Sequence, residues 1–306
     1  MPQDSKPSTP SSQQPPSWFK ESRKKDPSNS GSVVFTLMRL LELPWQYYVL
    51  GSGLGTSLLN RLGARPQPLL LSPSTITSSL GLHHYHSLIL GLAAGTSASQ
   101  IFWAWVIRDN YFPPSGGTAV ALYNTLLNTV NSGLALWAVT SQAPVSYSSV
   151  GSDYTWPYPV LVGVPLYLLG TFLERYSEVQ RKVFKAKPEN KGKPFAGGLF
   201  GVVRNVNYTG YTLMRTGFAL VCGGWVWGAV MGGIVFSDFA LRAVPWLEGY
   251  CEEKVSPAAY LFILQCSLTA LPVRSAVARG AEEGALSASA RDLLRTKVIQ
   301  SAPYGV

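Results

Sequence analysis

Four stretches of this chain, His86–Ile107, Gly117–Thr140, Pro157–Leu173 and Thr212–Ser237, run roughly 17–26 residues each with almost no charge. A helix needs about 20 apolar residues to cross a bilayer. A soluble helix of that length would break such a run with a polar face at every turn. Charged residues make up only 13% of the chain and apolar residues 46%, and the apolar ones are gathered in these blocks. The pattern predicts an all-α, integral membrane, multi-span helical bundle of about five to seven transmembrane helices.

The net charge of +9 does not point to nucleic acid, because the basic residues lie in the loops between apolar blocks and form no basic stripe. Membrane orientation accounts for them. The connection from Arg175 to Lys193 holds Arg175, Arg181, Lys182, Lys185, Lys187, Lys191 and Lys193, whereas residues 141–156 hold no Lys or Arg. Placing the basic connection in the cytosol makes 141–156 lumenal and returns Arg108 and the basic N-terminal tail to the cytosol. Cys222, Cys251 and Cys266 have no paired spacing, so neither a disulfide framework nor a structural zinc site is expected.

Along the chain, residues 1–31 lack the apolar content to fold and are expected to be a disordered tail. Met1–Ser32 does not have the form of a cleavable signal peptide. Residues 32–173 are expected to hold the N-terminal transmembrane helices, with Val33–Leu59 a weaker apolar segment containing Arg39, Glu42 and Pro44, spanning from near Leu43. Thr212–Ser237 is dense in glycine and fits either one straight span or two tight half-spans joined near Gly223-Gly224. Pro257–Val273 is a last, short apolar run.

The chemistry is concentrated after the basic connection, in Arg204-Asn205-Val206-Asn207-Tyr208-Thr209-Gly210. Arg204 offers a fixed fork for phosphate or carboxylate, and Asn207 can bond an amide. Tyr208 can stack on a ring or donate a proton, and Gly210 lets the backbone approach a ligand. The competing reading is a helix start at the interface, with Arg snorkelling and Tyr in an aromatic belt. Asp238 and Arg242, one helical turn apart, are either an interfacial ion pair or part of the site. His83-His84-x-His86 reads as a polar helix entry, and Gly51-Ser52-Gly53-Leu54-Gly55 as close helix packing, since a dinucleotide fingerprint needs a strand before it.

The pattern Arg-x-x-Asn-Tyr-x-Gly resembles the cofactor motif of the steroid 5-alpha-reductase and sterol C14-reductase superfamily, which includes the isoprenylcysteine carboxyl methyltransferases. Glu248-x-x-Cys251-x-x-Lys254 resembles the acidic-x-x-Cys-x-x-Lys element of the sterol reductases. The stretch Glu174–Lys254, with Asn190-Lys191-Gly192-Lys193 and Asp238-Phe239-Ala240, resembles the DUF1295-type branch. The resemblance implies a cofactor region over 174–254 that opens to the cytosol, with Lys193, Arg204, Asn207, Tyr208, Gly210, Asp238, Arg242 and Glu248 around it. Two departures matter. Asn205 stands where His is usual, and after Lys254 the tail that closes the site is replaced by Val255-Ser256-Pro257 and an unrelated sequence. Residues 255–306 are accordingly expected to come from a retained intron or shifted frame.

The first functional expectation is an NADPH-dependent reduction of a double bond in a sterol- or lipid-like substrate, in the endoplasmic reticulum. The alternatives are S-adenosylmethionine-dependent methylation of a prenylated or lipid acceptor in the same pocket, and a catalytically inactive membrane protein. No catalytic residue is identified. The partners expected are the bilayer and a lipid-like small molecule, with no nucleic acid and no obligate protein partner.

Overall fold

The computed structural model describes residues 28–67, 81–143, 156–190, 195, 197–203 and 205–247, together with Glu21 and Lys24. Among these, six helices carry the architecture: α1 (Ser30–Gly51), α2 (Leu54–Arg61), α3 (His84–Phe102), α4 (Pro114–Leu136), α5 (Tyr158–Ala186) and α6 (Val206–Asp238). Short π-helical turns, Trp103–Ile107 and Phe239–Ala243, prolong α3 and α6. No strand occurs among the described residues.

The helix boundaries follow from local chemistry. The His83 imidazole accepts a bond from the Tyr85 amide at 3.2 Å and caps α3, which agrees with a polar helix entry. Pro114 opens α4, where its missing amide costs nothing. α1 starts at Ser30, ahead of the start expected near Leu43. Arg39 and Glu42, which look in sequence like interruptions, turn inward and pair with each other, so the apolar face continues past them. Gly53 takes a left-handed conformation (φ +82) that ends α1 and starts α2. α5 continues unbroken through residues 173 and 174.

α6 resolves the two expectations for the glycine-rich block. Gly224 has φ 72° and ψ −164°, a conformation open essentially to glycine alone. The chain folds back there: Gly228 lies against Leu220, and Gly232 against Thr216. Tyr208 on the first limb stacks on Phe239 beyond the second, with ring centroids 4.5 Å apart and planes 8° from parallel. A straight helix over Val206–Leu247 would measure roughly 63 Å at 1.5 Å per residue, about twice a hydrocarbon core of ~30 Å. Folded at Gly224, each limb is of membrane length. Gly224→Val is expected to cost about 1–3 kcal/mol from backbone strain, read as a lower melting temperature in detergent. An unchanged melting temperature would contradict the turn.

The first limb of α6 packs antiparallel on α5 through four glycines in facing pairs. A Cβ on Gly163 would stand 2.7 Å from the Gly217 carbonyl oxygen, and one on Gly170 would stand 2.6 Å from the Gly210 carbonyl oxygen. The pairs are seven residues apart on both helices, the repeat that keeps two helices in contact over two turns. Small residues there let the backbones meet.

The bundle is apolar outside and polar inside. Leu41, Leu126, Leu168 and Val226 face outward, the last 78% exposed. Arg39, Glu42, Asn128 and Arg215 are buried. His84–Ile107 and Val206–Leu247 are long and apolar enough to cross a membrane. One end of the bundle joins Lys182 to Asp109 (3.0 Å), Arg108 to Asn29 (3.3 Å) and Asn207 to Glu178 (2.8 Å). The other joins Gln67 to Leu136 (2.7 Å) and Tyr85 to Val221 (2.8 Å), with Gln142 beside Gly224.

Candidate functional site

At the first of these ends, α5 and the start of α6 place two carboxylates, an amide and an aromatic pair together. The Asn207 side-chain amide donates to Glu178 Oε1 at 2.8 Å, and Arg181 pairs with the same glutamate one turn along α5. Glu174, one turn before Glu178 and just past the Pro157–Leu173 apolar block, is also buried. Its Oε1 meets Arg175 at 3.1 Å, and Arg175 Nε donates to Ser99 on α3 at 2.6 Å. Gln180 receives the Leu199 amide at 3.1 Å, which docks the glycine-rich turn Gly198–Gly201 onto α5. Between α3 and α5 runs a shallow groove of about 420 Å³, walled by Phe102, Phe172, Tyr176 and Val179, with Arg175 at its edge.

Glu174 is the unusual group of this cluster. Its Oε2 is buried and has no hydrogen-bond partner. Burial pushes its carboxyl up to about 7, helped by Glu178 and opposed by Arg175 and Arg215. A carboxyl whose folded pKa lies above its unfolded one stays protonated in the native state after the unfolded chain has released its proton. Its contribution is therefore complete below the ordinary carboxyl value of 4.5 and is lost as pH rises through about 7. The loss amounts to about 3 kcal/mol at ~1.4 kcal/mol per unit. Melting temperature should fall between pH ~5 and ~8, and Glu174→Gln should remove that part of the fall. An identical pH profile in the variant would contradict the assignment.

The sequence candidates are distributed unevenly. Asn207 and Tyr208 lie in the first turn of α6 at this mouth, and Gly210 packs directly against the α5 turn that carries Glu174. Tyr208 spends one ring face on Phe239. Asp238 and Arg242 form a two-bond ion pair, 2.6 Å for each bond, with both side chains close to half exposed and Arg242 also over the Trp246 ring. The interfacial ion-pair reading describes them; they adjoin the mouth through Phe239. Lys193, Arg204 and Glu248 lie outside the described residues, as does the departing tail 255–306. Asn205 precedes α6, and its carbonyl accepts the Tyr208 and Thr209 amides at 2.9 and 3.0 Å.

A second polar layer lies deeper, between α1, α3, α4 and α6. Arg39 pairs with Glu42 and donates to Ser97 at 2.8 Å. Asn128 donates to Glu42 at 2.6 Å and accepts from Arg215 at 3.2 Å. Arg215 also bonds Asn124 and the Tyr211 hydroxyl, the latter at 3.0 Å. Trp227 on the second limb donates to Asn131 at 2.7 Å. These bonds tie four helices across an otherwise greasy bundle. They require each helix to sit at one height, because a slip of one residue would strand a charge.

The family model described as a protein of unknown function (DUF1295) matches residues 118–260. The probable O-methyltransferase ustE of Ustilaginoidea virens is 33% identical over 235 residues, which are 76% of this chain and 82% of that protein.

The chain belongs to the DUF1295 family.

No solved structure matches it. The resemblance to the DUF1295-type branch is thereby supported, whereas membership of the steroid reductase superfamily is not shown. NADPH-dependent reduction, the first expectation, gains no support. The relative's name favours the methyl-transfer alternative. Asn207 before Tyr208 favours the reductase within the resemblance, yet the turn does not separate the two reactions, because an anion-binding arginine and an aromatic ring serve either cofactor. Sequence reasoning also passed over Glu174, Arg215 and the asparagines of α4. The signal was present: Asn124, Asn128 and Asn131 recur at helical spacing within an apolar block.

Proposed function

We propose that this DUF1295 protein is an integral membrane O-methyltransferase that uses S-adenosylmethionine and acts on a lipid-like acceptor. The kinship with a probable O-methyltransferase across 76% of the chain carries the reading. The outward apolar faces support a bilayer environment. In this reading α1, α3, α4, α5 and the two limbs of α6 are the crossing segments. The basic connection after α5 favours a cytosolic mouth, and the endoplasmic reticulum is the membrane we assign.

The donors at the mouth fit this cofactor chemically. Glu178 can balance a sulfonium or accept from an ammonium. Tyr208 offers an aromatic surface for a purine. Bound there, S-adenosylmethionine supplies an electrophilic methyl group. Asn207 and Arg181 hold the Glu178 carboxylate in one orientation, so it meets a ligand without first being ordered. The glycine seam keeps Asn207 within bonding distance of α5. We further propose that Arg204, Lys193, Gly210 and Glu248 complete the cofactor pocket, with Asp238 and Arg242 at its rim. The apolar groove beside Arg175 suits the hydrocarbon part of an acceptor.

The test is a melting experiment on full-length protein in detergent with S-adenosylmethionine, S-adenosylhomocysteine or NADPH. A ligand at 100 times its dissociation constant stabilises by about 2.7 kcal/mol. Both adenosyl ligands should shift the transition and NADPH should not; Asn207→Leu should reduce the shift. Stabilisation by NADPH alone would overturn the reading.

A further inference from the structure

We propose that Glu174 accepts the proton of a hydroxyl-bearing acceptor, so that the site methylates an alcohol or phenol oxygen and not a carboxylate; this rests on the methyl-transfer reading above.

Glu174 carries an open valence at the mouth. Among the described residues of α5 and α6, the buried polar atom without a partner is Glu174 Oε2, an acceptor once its carboxyl has released its proton, and Gln100 Oε1 on α3 is a second open acceptor. Buried polar atoms are nearly always paired, so an open one marks a place where a ligand group is expected. The groups facing Glu174 are already committed. Arg175 on its own helix holds Glu174 Oε1 and Ser99. Arg215 on α6 bonds Asn124, Asn128 and Tyr211. Arg181 pairs with Glu178, and Asn207 on α6 donates to it. The Tyr167 hydroxyl donates to the Leu92 carbonyl at 2.9 Å.

Once Glu174 has released its proton, above about pH 7, a carboxylate acceptor arriving here would meet two carboxylates, Glu174 and Glu178, whose guanidinium partners Arg175 and Arg181 are already paired with them. It would bring more acceptors to a site that lacks a donor. An alcohol or phenol brings the missing O–H donor. The chemistry then closes. As the carbon–sulfur bond to the transferred methyl breaks, the acceptor oxygen forms its bond to that carbon and releases its proton to Glu174 Oε2. The sulfonium leaves as a neutral thioether, and the proton passes to solvent. Burial places the Glu174 carboxyl near neutrality, where a general base works best.

Full-length protein in detergent is given tritiated S-adenosylmethionine with nonylphenol or dodecanoic acid. Wild type should label nonylphenol and leave dodecanoic acid unlabelled. Glu174→Gln should keep the melting shift with S-adenosylmethionine and lose about 10²–10⁴-fold in labelling. Without any ligand, a carboxylic-acid infrared band that disappears as pH rises through about 7 should be present in wild type and absent from the variant. Labelled dodecanoic acid, an inert phenol despite a normal melting shift, or a wild-type rate in Glu174→Gln would each overturn the inference alone. Absence of any melting shift in wild type would instead defeat the methyl-transfer reading, and the inference with it.

Discussion

Glu42→Ala is expected to destabilise the protein by about 3–5 kcal/mol, the cost of breaking a buried ion pair from one side. Glu42 and Arg39 both have fully buried side chains. The glutamate also receives Asn128 at 2.6 Å and Thr125 at 3.3 Å, so its removal strands a guanidinium and an amide together. The guanidinium would keep Ser97 alone for company, 2.8 Å away. The loss travels further, because Asn128 in turn holds Arg215 at 3.2 Å. Arg39→Met combined with Glu42→Ala should recover most of the loss, since no isolated charge then remains. Melting temperatures in detergent of the single and double variants check this. A single variant as stable as wild type would show that the layer carries no weight in the fold.

Gly170→Leu is expected to cost at least about 3 kcal/mol by overpacking. A Cβ at Gly170 points at the backbone of Met214, Gly210 and Leu213 on the facing limb of α6, including the Gly210 carbonyl oxygen 2.6 Å away. Backbone atoms cannot rotate aside, so the helices must part. Parting them moves Asn207 off Glu178 and should abolish the melting shift with S-adenosylmethionine. Gly133→Ala is the matched control, since a Cβ there meets nothing within 4 Å. It should be neutral or slightly stabilising, as alanine is the better helix former. Equal losses in both variants would refute the seam.

Much of the fold was legible in the sequence because membrane-length apolar runs leave few alternatives. The runs beginning at His86, Gly117 and Pro157 correspond to α3, α4 and α5. The glycine block admitted two readings because periodicity cannot tell a straight helix from a folded one; the backbone angles of Gly224 decide it. α1 was underestimated for a related reason. Its start was expected near Leu43, past its charges, although Arg39 and Glu42 are three residues apart and able to satisfy each other.

The site was legible in part. Asn207 and Tyr208 were found because polar residues at the head of an apolar run are conspicuous. Glu174 was passed over because nothing in its local sequence separates a bare buried carboxylate from a solvated one. Its burial depends on Gly210 from a helix some 36 positions later in the sequence. Reaction type was not legible at all from the Arg-x-x-Asn-Tyr-x-Gly turn. The methyl-transfer proposal rests on kinship over the longer stretch.

The most direct test of the account is transfer of a tritiated methyl group by membranes containing the full-length protein. Tritiated S-adenosylmethionine should pass label to a product that extracts into organic solvent, and Glu178→Ala together with Asn207→Leu should abolish it. An extract free of label, in membranes that oxidise NADPH when given a lipid-like substrate, would contradict it.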